Sequence, residues 1–376
     1  MAGLYFHIPF CRKACHYCNF HFSTSLRQKP AMVDALIREL TLRVDYLPQR
    51  QLDSVYLGGG TPSLLSADDL QRLFAAVHQY YQITPEAEIT LEANPDDLNA
   101  EVLAQLADSP INRLSIGIQS FSEADLRYMN RAHNATEAHR CIELAQAAGF
   151  TDLTIDLIYG SPTTSDAQRA QRLATALAIG IPHHSSYALT GAPNTALDHF
   201  IRKGKAAPVE EDKAARHFEH LQDITAAAGY LHYEISNFAL PDRFARHNTA
   251  YWQGVPYLGI GPSAHSFDGQ SRQWNRAHNA QYLQALARDE VPFEREELSI
   301  PQRYNEYLLT GLRTMWGVQL DKITQLGTDY REHFLRQCQT FLTEGLLLET
   351  AGAYRLSAAG KLLADRIALA LFWEED

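Results

Sequence analysis

Three of the five cysteines, Cys11, Cys15 and Cys18, fall within eight residues in a CxxxCxxC spacing that also holds His16 and Tyr17. Thiols this dense serve a soft metal better than they serve packing, because sulfur ligands select zinc, copper(I) or iron–sulfur clusters. Structural zinc closes with four ligands, and iron–sulfur clusters usually take four cysteines. Three cysteines leave one position for something else. His7, His16 and His21 are near enough in sequence to complete a zinc site. The other reading is an iron–sulfur cluster with one open iron.

Composition narrows the setting. The chain has 376 residues, 45% hydrophobic and 20% charged, with net charge -11. That deficit of Lys and Arg argues against a general nucleic-acid binder. No apolar run approaches the roughly 18 to 20 residues that span a membrane. Met1 to Phe6 lacks a basic region followed by an apolar stretch, so no signal peptide is expected. Cysteines clustered rather than spread fit a reducing cytoplasm.

Along the chain, short apolar runs alternate with helical periodicity. Strands are expected at Leu4–Ile8, Asp53–Leu57, Glu88–Glu92, Arg113–Ile118, Leu153–Ile158, His183–Leu189 and Leu231–Ile235. Helices are expected between them, one starting at Ser66 with Asp69 as a weak capping box. Six or seven such units in series imply a parallel sheet with crossover helices. The fold class is therefore α/β, with an open or closed β/α barrel ahead of a doubly wound sheet. From about Leu298 the pattern turns helical, with a short strand pair near Tyr354-Arg355-Leu356. The expected division is a barrel domain at 1–295 and a small winged-helix-like domain at 296–376, without a dense basic helix.

In β/α barrels the reactive groups lie at the carboxyl ends of the strands. Here those ends carry the cysteine loop, Gly58 to Thr61, Glu92, Gln119, Asp156, Tyr187 and Glu234. Singly each has a plain explanation: a glycine triplet can be a tight turn, Glu92 a turn carboxylate, Gln119 a helix cap. Asp156 inside an apolar strand is harder to dismiss, since a buried carboxylate needs a partner. An open iron can bind the amino and carboxylate groups of S-adenosylmethionine (SAM) and pass an electron into its sulfonium, while the protein orients the cofactor and excludes water. Cys141 and Cys338 read as buried small hydrophobes.

Tyr5-Phe6-His7-Ile8-Pro9-Phe10-Cys11 with the cysteine spacing resembles the opening of radical SAM enzymes. Leu57-Gly58-Gly59-Gly60-Thr61-Pro62-Ser63, Glu92-Ala93-Asn94-Pro95, Arg113 to Phe121 and Asp156-Leu157-Ile158-Tyr159-Gly160 narrow the resemblance to the oxygen-independent coproporphyrinogen III oxidase superfamily. The resemblance implies a partial (β/α)6-type radical SAM barrel. It implies that Cys11, Cys15 and Cys18 hold a [4Fe-4S] cluster, and that Tyr5 and Tyr17 line the cofactor pocket. Gly59, Gly60 and Thr61 would approach the methionine part of SAM, and Glu92, Gln119, Arg131 and Asp156 would contact it.

Two departures choose within the superfamily. The oxidases have a further cysteine two positions after the third, where this chain has Phe20, and a longer segment ahead of the first strand. Their absence resembles a branch described as haem chaperones. His247-Asn248-Thr249-Ala250-Tyr251-Trp252 matches that branch's haem-associated HNxxYW motif, which implies His247 as a haem contact; His265 is read as a second polar contact. A lone loop histidine is otherwise most often structural. The resemblance thus implies SAM and haem as ligands, haem-accepting proteins as partners, membrane-associated ones among them, and a homodimer. The rival readings are a decarboxylating coproporphyrinogen III oxidase and a structural zinc protein.

Overall fold

The computed structural model describes residues 2–374, so the outermost positions of the two expected domains lie outside the description. Six parallel strands form its centre: β1 (Gly3–Ile8), β2 (Gln51–Gly59), β3 (Gln82–Ala93), β4 (Arg113–Gln119), β5 (Leu153–Tyr159) and β6 (His183–Ala188). They lie side by side in chain order and continue into one twelve-stranded sheet whose order is linear. The barrel is therefore open. Helices connect the strands, and the one at Ala67–Tyr80 starts with the expected Ser66–Asp69 capping box, a device worth about 1 kcal/mol.

Alternation along the strands explains the architecture. Leu4, Phe6, Ile8, Val55, Leu57, Leu91, Leu114, Ile116 and Ile155 are buried in one cluster with the helices. The residues between them on the sequence are Tyr5, Tyr56, Glu92, Ser115 and Asp156. Parallel strands covered on both faces usually read as continuous apolar runs, and a closed barrel fills its interior with branched aliphatics. Here one face packs on helices while the other lines a polar lumen.

Both flanks of the sheet differ from the expected series of crossovers. Leu231–Glu234 (β7) is not a seventh parallel strand: it forms an antiparallel hairpin with Asn237–Ala239 (β8), and β8 lies antiparallel to β6. Only two residues separate β7 from β8, which allows a hairpin but not a crossover helix. On the other flank Tyr257–Ile260 (β9) pairs parallel with β1, followed by antiparallel His265–Phe267 (β10), Ser271–Asn275 (β11) and Phe293–Glu297 (β12). Glu39, fully buried in helix Lys29–Leu42, ties this extension down by accepting from Tyr282 Oη (2.6 Å), Gly261 N (2.8 Å) and Asn275 Nδ2 (2.7 Å).

Beyond it, helices Ile300–Leu312, Leu320–Leu326 and Thr328–Thr343 pack on the antiparallel strands Val318–Gln319 (β13), Leu347–Thr350 (β14) and Ala353–Leu356 (β15). Tyr304, Leu308, Val318, Ile323, Phe334, Cys338 and Ile367 form its core. This is the winged-helix order of elements. It is fastened to the hairpin by Ile235 N donating to Arg313 O (3.0 Å) and Met315 N to Tyr233 O (2.8 Å). No helix among the described residues is long and apolar enough to cross a membrane.

Candidate functional site

The cysteine loop leaves β1 and is pinned at several points. Cys11 N donates to Ser23 O (3.0 Å), His16 N to Met129 O (3.0 Å), and Leu197 N to His16 O (2.7 Å). Asn130 Nδ2 reaches Ala14 O at 2.7 Å. So held, Cys11, Cys15 and Cys18 are half-buried free thiols lining one cleft of about 430 Å³. The same cleft is lined by Tyr17, Gly59, Gly60, Thr61, Glu92, Gln119, Arg131 and Asp156. Segments from four strands and three loops, up to 145 positions apart, are thus drawn to one place.

The thiols have polar escorts. Thr61 Oγ1 donates to Cys11 Sγ and Arg131 Nη1 to Cys15 Sγ, both at 3.3 Å. Arg131 also binds Asn94 Oδ1 (2.6 Å) and Gly117 O (2.8 Å), so one guanidinium joins the loop to the ends of β3 and β4. Burial pushes the free Cys11 thiol up to about 11. Two glycines are set by close approach: a Cβ on Gly60 would stand 2.5 Å from Phe10 O, and Gly59 has φ +111° with His7 where its Cβ would go. Gln119 closes β4 at φ +64°, left-handed for a residue with a side chain, a conformation that costs on the order of 1 kcal/mol and clusters at ligand sites.

His7 Nε2 contacts His21 O (3.0 Å), His16 Nδ1 contacts Tyr128 O (3.0 Å), and His21 Nε2 contacts Asn279 Oδ1 (2.7 Å). Among the described residues no three Cys, His, Asp or Glu side chains converge on a single ion. Three thiols ringing a cleft, with the nearby imidazoles engaged elsewhere, suit a body larger than one zinc. The acids fit a cationic ligand. Glu92 accepts from Tyr56 Oη (2.8 Å) and Gly59 N (3.1 Å), and burial lifts its carboxyl to about 7 despite those bonds. Burial likewise lifts Asp156 to about 6, with the hydroxyls of Ser185 and Ser115 pulling back. Two desolvated carboxyls facing one cleft are relieved by a sulfonium or ammonium brought between them.

Tyr5 and His247 do not line the cleft. A polar chamber of about 40 Å³ continues inward from Glu92 and Asp156, past Arg113 and His183, to Asn248 of helix Arg246–Trp252. That helix shuts the lumen at the amino ends of the strands. Its first two N–H groups, Arg246 and His247, donate to the carboxylate of Glu88 at 2.7 and 3.0 Å. Glu88 also stands 3.4 Å from the fully buried Arg113. The His247 ring lies against Tyr56 (5.0 Å) and Tyr5 (6.4 Å), with Nδ1 2.8 Å from Ser54 Oγ, and burial drops it to about 4. Tyr251 and Trp252, at the other end of the helix, line an outer groove. His265 is exposed beside Trp274.

Glu234 is a correction. Instead of facing the cleft, it is buried under the C-terminal domain, 3.4 Å from Arg313, because β7 runs antiparallel. Glu88, Arg113 and Ser54 were missed by sequence reasoning, although charged residues alternating with apolar ones in β3 and β4 were the available signal.

The open half-barrel, its three-thiol loop and its acidic lumen define a radical SAM-type protein. The radical SAM superfamily model matches residues 5–176, and the HemN C-terminal domain model matches 298–363. The heme chaperone HemW of Mycobacterium tuberculosis is 34% identical over 370 residues, covering 97% of this chain and 93% of that protein. The heme chaperone HemW of Escherichia coli is 32% identical over 384 residues, covering 99% and 98%. Among solved structures, coproporphyrinogen III oxidase (HemN) of Escherichia coli superposes with TM-score 0.86 at 24% identity, over 99% of this chain and 90% of that one, a likeness of fold. The chain belongs to the HemW family of radical SAM proteins.

Proposed function

We propose that this protein is a haem chaperone: it holds a [4Fe-4S] cluster on Cys11, Cys15 and Cys18, binds SAM in the adjoining cleft, and passes haem to acceptor proteins. The observation that carries the reading is the near full-length likeness to proteins named heme chaperone HemW. Phe20, 70% exposed at the cleft mouth where the oxidases have cysteine, supports it. When bound, the cluster supplies the electron that SAM chemistry requires. The chain's own part is to hold the ligand: Gly59 and Gly60 let backbone approach it, Glu92 and Asp156 face its cationic end, and Gln119, Arg131 and Thr61 frame it.

In this reading the helix Arg246–Trp252 contributes the haem contact, with His247 as the candidate ligand. Acceptor proteins, membrane-bound ones included, a homodimer, a cytoplasmic location and a division of the chain at 295/296 belong to the same proposal. The test is a pair of anaerobic assays on reconstituted protein. Haemin should form a stable complex, and reduced coproporphyrinogen with SAM and a reductant should be returned unchanged. Conversion to protoporphyrinogen would make the oxidase reading the correct one.

A further inference from the structure

Past the carboxyl end of β5, where Tyr159-Gly160-Ser161 turns toward helix Asp166–Ala178, a cavity of about 10 Å³ is bounded by Asp125, Ser161, Thr164, Arg169, Arg172 and His217. That is room for one water-sized body. Arg169 is 6% exposed, and its buried Nε and Nη2 meet no hydrogen-bond partner among the described residues. The acids nearby already have partners, Asp125 among the cavity walls themselves. Asp125 accepts from Ser120 (2.7 Å), Thr163, Thr164 (2.6 Å) and Arg172 (2.9 Å). Asp166 faces out to Arg216 (3.3 Å) and His217 (3.1 Å).

The charge around the cavity does not balance. Arg169 and Arg172 are two cations against the single carboxylate of Asp125, which leaves one positive charge over. His217 Nδ1 accepts from Gly160 N at 3.2 Å, so its ring is neutral and adds nothing. The Arg169 guanidinium lies over the Tyr159 ring at 6.0 Å, a contact that offsets little of the several kcal/mol that a buried charge without a hydrogen-bonded counter-ion costs. A water would bring protons to a shell whose carboxylate is already taken, whereas an anion brings only the missing charge.

We propose that this cavity is an anion site taking one halide-sized ion, held by Arg169 and Arg172. Its occupant fixes the turn from Tyr159 to Ser165, immediately beyond the cleft residues Asp156 and Ile158. Crystals of the full chain grown in bromide should show an anomalous difference peak between the two guanidinium groups. Exchanging chloride for gluconate at equal ionic strength should lower the wild-type Tm by ~2 °C or more. Arg169→Met should abolish that dependence and be at least as stable as wild type in gluconate, since the unpaired charge is gone. Two results would overturn the site: a cavity holding only water in the bromide crystals, or an equal chloride effect in the variant. Should the variant fail to fold, the bromide map decides alone.

Discussion

At the carboxyl ends of its strands the lumen opens between half-buried thiols and glycines set close to neighbouring backbone. At the amino ends it is shut by a short helix whose N–H groups rest on Glu88, itself beside Arg113. The open end has ligand-type groups with few protein partners: two carboxyls lifted by burial and three thiols without a disulfide. The closed end sets its charges against each other, Glu88 beside Arg113 and under the N–H groups of the helix. One end is built to receive something; the other is built to hold the barrel together while it does so. His247 sits at the second end although its motif implies work at a ligand.

That contrast can be broken most directly by removing a group from each end. Cys15→Ala should take reconstituted iron and sulfide from near four each to background, while the apo protein unfolds within about 0.5 kcal/mol of wild type, as half-exposed substitutions do. A large loss of apo stability would show that the thiols also hold the fold. Glu88→Ala should do the reverse, costing ~3–5 kcal/mol in denaturant titrations, because the buried Arg113 loses its nearer carboxylate and keeps only Asp152 at 3.9 Å. An unchanged midpoint would sink the account of the closed end.

His247 is the sharper probe. His247→Ala should lose ~1–2 kcal/mol through the aromatic stack and the Ser54 bond. If the ring also meets haem, His247→Ala weakens the haemin complex, while Ser54→Ala, which only frees Nδ1, leaves it intact. Equal haemin affinity in all three proteins would make His247 a packing residue alone.

The remaining effect is electrostatic and is read against pH. Glu92 and Asp156 have folded values raised to about 7 and about 6, above those of the unfolded chain, so the folded state binds the extra protons. Their contribution is therefore full below about pH 4 and lost as pH rises through 6 to 7. Ligand-free wild type should lose stability across that window, and Glu92→Gln with Asp156→Asn should flatten the slope. A cationic ligand should bind with release of protons near pH 6, seen by calorimetry in buffers of different ionisation enthalpy. A pH-independent stability in wild type would show the carboxyls to be fully solvated.

Much of this was legible in the sequence because the chemistry is local or repeats with a period. CxxxCxxC puts three sulfurs on one short loop in any fold, and Asp156 stands out because the residues on either side of it, Ile155 and Leu157, are apolar. Strand–helix alternation fixes a parallel sheet, since a parallel pair needs a long crossover. Only the tertiary structure decided what depends on distant partners. Linear strand order left the barrel open, antiparallel pairing of β7 took Glu234 out of the site, and the pairing of Glu88 with residues 158 and 159 positions away turned His247 inward. The residues that receive a ligand were written locally; how the lumen opens and shuts came from contacts that no spacing records.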